Sequence, residues 1–148
     1  MTENNLYINY ELITDKLADI KKSVALLNTI GQVEPQKFYK DEILVSGAKY
    51  QLILSIEAAQ SICNHLAARI AKEAPRSYAD CFRILGDNGI LSRDLVQKLV
   101  SMARFRNLLA NQYGKVDNSI VLDILKHNIV DLITYTKEIK LFISSARG

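Results

Sequence analysis

The 148-residue chain has two cysteines and two histidines, and none of them is spaced for metal chemistry. Cys63, Cys81, His65 and His127 supply no CxxC or HxxxH pair, so the ligand sets of structural and catalytic zinc sites are missing. No apolar run of signal-peptide length opens the chain, and both cysteines are expected as free thiols in a reducing cytoplasm. Strand-like alternation, internal repeats, low-complexity tracts and membrane-length apolar stretches are also missing. These absences exclude a disulfide scaffold, a zinc module, a β-fold and a membrane span. Neither a metal nor another cofactor is expected.

What is present is helical pattern and a local excess of positive charge. A hydrophobic content of 49% over 148 residues is enough for one core, so residues 1–148 are expected to form a single domain. The net charge of +3 is too small to mark a nucleic-acid binder, but it is unevenly placed. Between Arg93 and Val116 stand Arg93, Lys98, Arg104, Arg106 and Lys115 against Asp94 alone, so the rest of the chain is slightly acidic. A solvated cationic helix face would explain this equally well.

Ile13, Leu17, Ile20, Val24 and Leu27 recur at steps of four and three, which predicts a helix from about Leu6 to Ile30, ended by Gly31. Pro35 then sits in a short polar connection. A second helix is expected over Asp41 to Ala71, with Ile56, Ala59, Cys63, Leu66 and Ile70 inward and Gly47 near its loosened start. Pro75 closes it, and Ser77 caps a short helix through about Leu85. Gly86-Asp87-Asn88-Gly89 is a turn signal, and Ser92 is the next cap. Leu95, Leu99, Met102, Arg106, Leu109 and Tyr113 share one stripe of the following helix, stopped by Gly114. A last helix begins at Asp117 or Asn118 and carries Val121, Leu125, Asn128, Leu132, Tyr135, Ile139 and Phe142 inward. The expected fold is all-α, an antiparallel bundle of four main helices plus a short one.

The chemistry-bearing residues are Arg106, Asn107, Asn111 and Tyr113, in the run Phe105-Arg-Asn-Leu-Leu-Ala-Asn-Gln-Tyr-Gly114. On an ideal helix Arg106 and Tyr113 point nearly the same way, whereas Arg106 and Asn111 diverge by about 140°. They meet on one ligand only if the helix ends near Asn111 or if a second subunit completes the site.

Arg106, four residues, Asn111, Gln112 and Tyr113 resemble the motif of HepT-like ribonucleases of the HEPN superfamily, which is Arg, four to six residues, His, any residue, Tyr. Leu85-Gly-Asp-Asn-Gly-Ile-Leu91 is similar to that family's linker into the motif helix, and Met102-Ala-Arg-Phe-Arg-Asn-Leu-Leu109 to its approach. Lys49-Tyr-Gln51, Ile56-Glu-Ala58 and Asn64-His65 resemble its second helix, so the likeness spans roughly residues 10 to 140.

The resemblance implies a HEPN-like bundle and metal-independent RNA cleavage, with tRNA or mRNA as substrate, in which the ribose 2′-OH attacks the adjacent phosphate. It implies a catalytic set of Arg106, Asn111 and Tyr113, with Arg104, Asn107 and Lys115 as further RNA contacts. Arg106 would hold the scissile phosphate through its guanidinium fork, and Glu57 would orient Arg106 across the bundle or form an ordinary salt bridge with it. Asn111 departs from the family's histidine. An amide forms hydrogen bonds but cannot take the proton that imidazole takes near neutral pH, so this form is expected to be inactive or weak. An inactivated copy and a naturally inactive homologue both fit.

The resemblance further implies a cytoplasmic homodimer in a type VII HEPN/MNT toxin–antitoxin module. Its partner would be an MntA-like minimal nucleotidyltransferase antitoxin that adenylylates Tyr113, placing anionic bulk where RNA phosphates must sit. The alternatives are a non-catalytic RNA- or protein-binding module and a purely structural helical protein. His65 and His127 are expected to be ordinary helix histidines.

Overall fold

Backbone capping divides the chain into its helices. The computed structural model describes residues 7–147, Tyr113 by its backbone alone, and these residues form seven α-helices with no strand among them. In order they are α1 (Tyr10–Gly31), α2 (Pro35–Lys40), α3 (Glu42–Leu66), α4 (Tyr78–Asp87), α5 (Arg93–Asn111), α6 (Asn118–His127) and α7 (Ile129–Arg147). Side-chain oxygens of Asn9, Asp41, Ser77 and Ser92 each accept from the backbone N–H three residues on, and Asp117 accepts from Ser119. Each such cap contributes about 1 kcal/mol by satisfying a donor that the first turn leaves unpaired.

Helix α3 runs through the middle, packing on α1, α4, α5 and α7. Ile13, Ile20, Val24 and Leu27 of α1 are buried, with Leu17 at the edge of the same cluster. Ile56, Ala59, Cys63 and Leu66 of α3 are also fully covered. Tyr135 of α7 ties three helices together. It is completely buried, donates its hydroxyl to the Ala59 carbonyl of α3 at 2.8 Å, and meets the Phe82 ring of α4 edge-on at 5.9 Å. No helix among the described residues is long and apolar enough to cross a membrane.

Several expected boundaries move. The connection holding Pro35 is itself a helix, because Pro35 stands at its first position, where a missing N–H costs nothing, and Phe38 is drawn fully into the core. The expected last helix is two. Asn128 ends α6 with its N–H on the Ile124 carbonyl, while its own carbonyl accepts from Asp131 three residues on. Asn128 is therefore exposed rather than inward, and its short polar side chain is one that competes with helix propagation. Helix α3 runs into a π-helical turn over Ala67–Ala71 that Lys72 ends in the left-handed conformation (φ 56°), three residues before Pro75.

Two glycines have unlike roles. Gly89 takes φ +73° in the turn between α4 and α5, a region side-chain-bearing residues seldom adopt. Gly86 permits close approach: a Cβ there would stand 2.7 Å from Cγ2 of Val96, so α4 and α5 pack this tightly only with glycine at that position.

Candidate active site

Helix α5 carries the basic residues, and its neighbours divide them. Lys98 is paired with Asp94 one turn earlier at 3.1 Å, an exposed contact that raises the lysine's pKa through hydrogen bonding and charge. Arg106 turns the other way, into the bundle. Its Nη2 pairs with Oε2 of Glu57 on α3, and its guanidinium carbon lies 4.8 Å from the centre of the Tyr78 ring at the start of α4. The carboxylate and the aromatic ring together restrict the guanidinium. Its Nη1 makes only a long 3.5 Å contact with Oδ1 of Asn107, and its Nε is buried without a hydrogen-bond partner.

Helix α5 ends at Asn111, three residues before Gly114. Gln112, at φ −130° and ψ 42°, has left helical geometry while its N–H still reaches the Leu108 carbonyl at 2.8 Å. A 3-10 turn over Tyr113–Lys115 follows, so Tyr113 does not continue the stripe of Leu95, Leu99, Met102 and Leu109. Ending the helix at Asn111 is one of the two conditions under which Arg106 and Asn111 share a ligand. Asn107, Asn111 and Lys115 are all exposed around this end. The side chain of Tyr113 lies outside the described residues.

Arg104 is not part of this arrangement. Two residues along a helix turn it by about 200° from Arg106, and it lines a groove between α4 and α5 with Arg83 and Arg93. Sequence reasoning singled out Glu57 but missed Tyr78, which falls next to the expected cap Ser77 and carried no signal beyond being aromatic.

Neither histidine belongs to the site. His65 accepts from the Asn9 N–H at 2.8 Å, so it fastens the start of α1 to α3, and its pKa is lowered by burial and by nearby Arg69. His127 is exposed beside Asp123 at 3.5 Å.

The chain matches the family model described as ribonuclease HepT-like over residues 13–139. The mRNA nuclease HepT of Shewanella oneidensis is 25% identical over 130 residues, covering 88% of this chain and 97% of that protein. The solved tri-AMPylated HEPN toxin of Shewanella oneidensis, in complex with MNT antitoxin, superposes with a TM-score of 0.81 at 25% identity, over 88% of this chain and 97% of that one. YutE of Bacillus subtilis, a cytosolic protein of unknown function, shares the fold with a TM-score of 0.82 at 20% identity, over 94% of this chain and 93% of that one. With a family match over residues 13–139 and a helical fold shared with the HEPN toxin, the chain belongs to the ribonuclease HepT-like family.

Proposed function

We propose that this chain is the RNA-directed toxin of a cytoplasmic toxin–antitoxin pair, acting as a metal-independent endoribonuclease whose turnover Asn111 has largely removed. The observation that carries this reading is Arg106, clamped by Glu57 and Tyr78 about 7.5 Å along the axis before α5 stops at Asn111. A guanidinium so restricted suits charge that develops on a phosphate, because it need not reorganise as the reaction proceeds. Its buried Nε has no partner, which costs about 1–3 kcal/mol and leaves one donor of the fork unused within the bundle.

The partner in this reading is a minimal nucleotidyltransferase, supported by the MNT antitoxin bound to the Shewanella oneidensis toxin. The working form is a homodimer, as the family resemblance implies, in which a second copy brings its own Arg106 and Asn111 to a shared cleft. Light scattering should give about twice the chain mass of 16.7 kDa, and a monomer at micromolar concentration would remove the two-subunit site.

Position 111 supplies the test. Asparagine cannot accept the 2′-hydroxyl proton, and loss of such a base typically costs 10²- to 10⁴-fold. Asn111→His should therefore raise cleavage of tRNA or mRNA by about that factor, with chelator present throughout. If the histidine form binds RNA but stays inert, a non-catalytic binding module replaces the nuclease reading, an alternative that the asparagine itself favours.

A further inference from the structure

On the side of α5 facing away from Arg106, a groove of about 520 Å³ follows the seam between α4 and α5. Arg83 of α4 and Arg93 and Arg104 of α5 line it, against the single carboxylate of Asp87. All three arginines are exposed, and none has an ion-pair or hydrogen-bond partner among the described residues. At its floor Gly86 lets the α4 backbone pack directly against Val96 of α5.

Arginines on a solvated face often have no ligand, so their arrangement has to carry the argument. Arg93 and Arg104 are eleven residues apart, which on an ideal helix is three turns, about 20° in direction and about 16 Å along the axis. That separation follows a line along the helix axis rather than a ring around one point. Three unpaired guanidiniums along one groove match the repeating charge of a nucleic-acid strand, and in protein–DNA complexes phosphate and sugar together take half or more of the hydrogen bonds.

We propose that the α4/α5 groove is a phosphate-tracking path for single-stranded RNA, separate from the Arg106 site, with Arg83, Arg93 and Arg104 each holding backbone phosphate. This rests on the reading of the chain as RNA-directed. Arg104 then contacts RNA outside the cleavage position.

The parent chain is suited to the test, because Asn111 lets RNA bind without being consumed. Anisotropy of a labelled single-stranded RNA is followed over about 50 to 200 mM salt for the parent and for Arg83→Gln/Arg93→Gln/Arg104→Gln. At about 0.7 per phosphate contact, the triple variant should lose about 2 from the slope of log affinity against log salt, and at least tenfold in affinity. Arg83→Lys/Arg93→Lys/Arg104→Lys should keep most of the slope, which separates lost charge from a lost fold. Lys37→Gln/Lys40→Gln/Lys126→Gln, an equal loss of charge among exposed lysines of α2 and α6, should change the slope by well under 1.

RNA bound by the glutamine triple with the parent's slope overturns the groove and leaves the nuclease reading standing. The same result with loss of nucleotidyltransferase binding overturns it in favour of a protein-docking face. If the parent binds no RNA and Asn111→His cuts none, the functional reading fails and the groove's role falls with it.

Discussion

Arg106 of α5 and Glu57 of α3, forty-nine residues apart in the chain, hold each other across the bundle. With the Glu57 side chain 42% exposed, solvent screens the pair, and such contacts are worth about 0–1 kcal/mol. Its consequence is orientation rather than stability, with the Tyr78 ring lying against the same guanidinium.

That division predicts how Glu57→Gln behaves in an Asn111→His background. The amide keeps the shape and one acceptor but loses the charge, so Arg106 is held less firmly. We expect kcat to fall roughly 10- to 100-fold with KM changed little, while stability moves by no more than about 1 kcal/mol. Cleavage kinetics and a thermal melt on the same preparation check it. Unchanged kcat would reduce Glu57 to an ordinary surface partner.

Tyr113 opens the turn directly after α5, next to exposed Gln112 and Lys115. If it is an AMP acceptor, incubation with the partner nucleotidyltransferase and ATP should add nucleotide mass to the parent. Tyr113→Phe should add less, because the phenyl ring has no oxygen to modify. Intact-protein mass spectrometry reads this directly, and equal adducts on both forms would place the acceptor elsewhere.

The features that were legible in the sequence are those set by local chemistry. The caps at Ser77, Ser92 and Asp117, the α1 stripe and the turn at Gly89 each depend on a few neighbouring residues, so their pattern is visible without the fold. Helix ends that depend on distant packing were not visible. Phe38 gives α2 its reason to form only because a core is there to receive it, and the break at Asn128 lies within an otherwise continuous apolar rhythm. At the candidate site, Glu57 and the motif residues were marked by sequence. The Tyr78 contact and the separation of Arg104 from Arg106 follow from how α4 lies against α5, for which Gly86 was the only local trace.

Cys63 and Cys81 face each other across α3 and α4, both fully buried, with the Cys81 thiol donating to Oδ1 of Asn64 at 3.3 Å. Burial pushes the Cys63 thiol well above its ordinary range, and neighbouring Cys81 adds to the shift. Since the thiolate is the reactive form, neither cysteine should react with an aromatic disulfide reagent in the native protein at about pH 8 on the minute timescale. Both should react at once in denaturant. Fast labelling of the native protein would mean that α3 and α4 open readily.

The last expectation concerns acid, and it follows from the bond between His65 and Asn9. Nε2 of His65 accepts the Asn9 N–H at 2.8 Å, and Asn9 in turn caps α1 by accepting from Leu12. A protonated imidazole has no lone pair to offer, so the contact requires the neutral form. Burial, and then the charge of Arg69, lower the pKa below the ordinary 6.5. The unfolded chain therefore takes up this proton more readily than the folded one. Stability from the contact is complete above about pH 6.5 and is lost as pH falls through the lower folded value. Denaturant unfolding should show the protein weaker at about pH 5 than at about pH 7.5, with His65 supplying on the order of 1 kcal/mol of that difference, the worth of one hydrogen bond. His65→Gln keeps an acceptor that does not titrate, so its pH dependence should be smaller by that amount. Equal pH dependence in the two proteins would show that the start of α1 is held to α3 by packing alone.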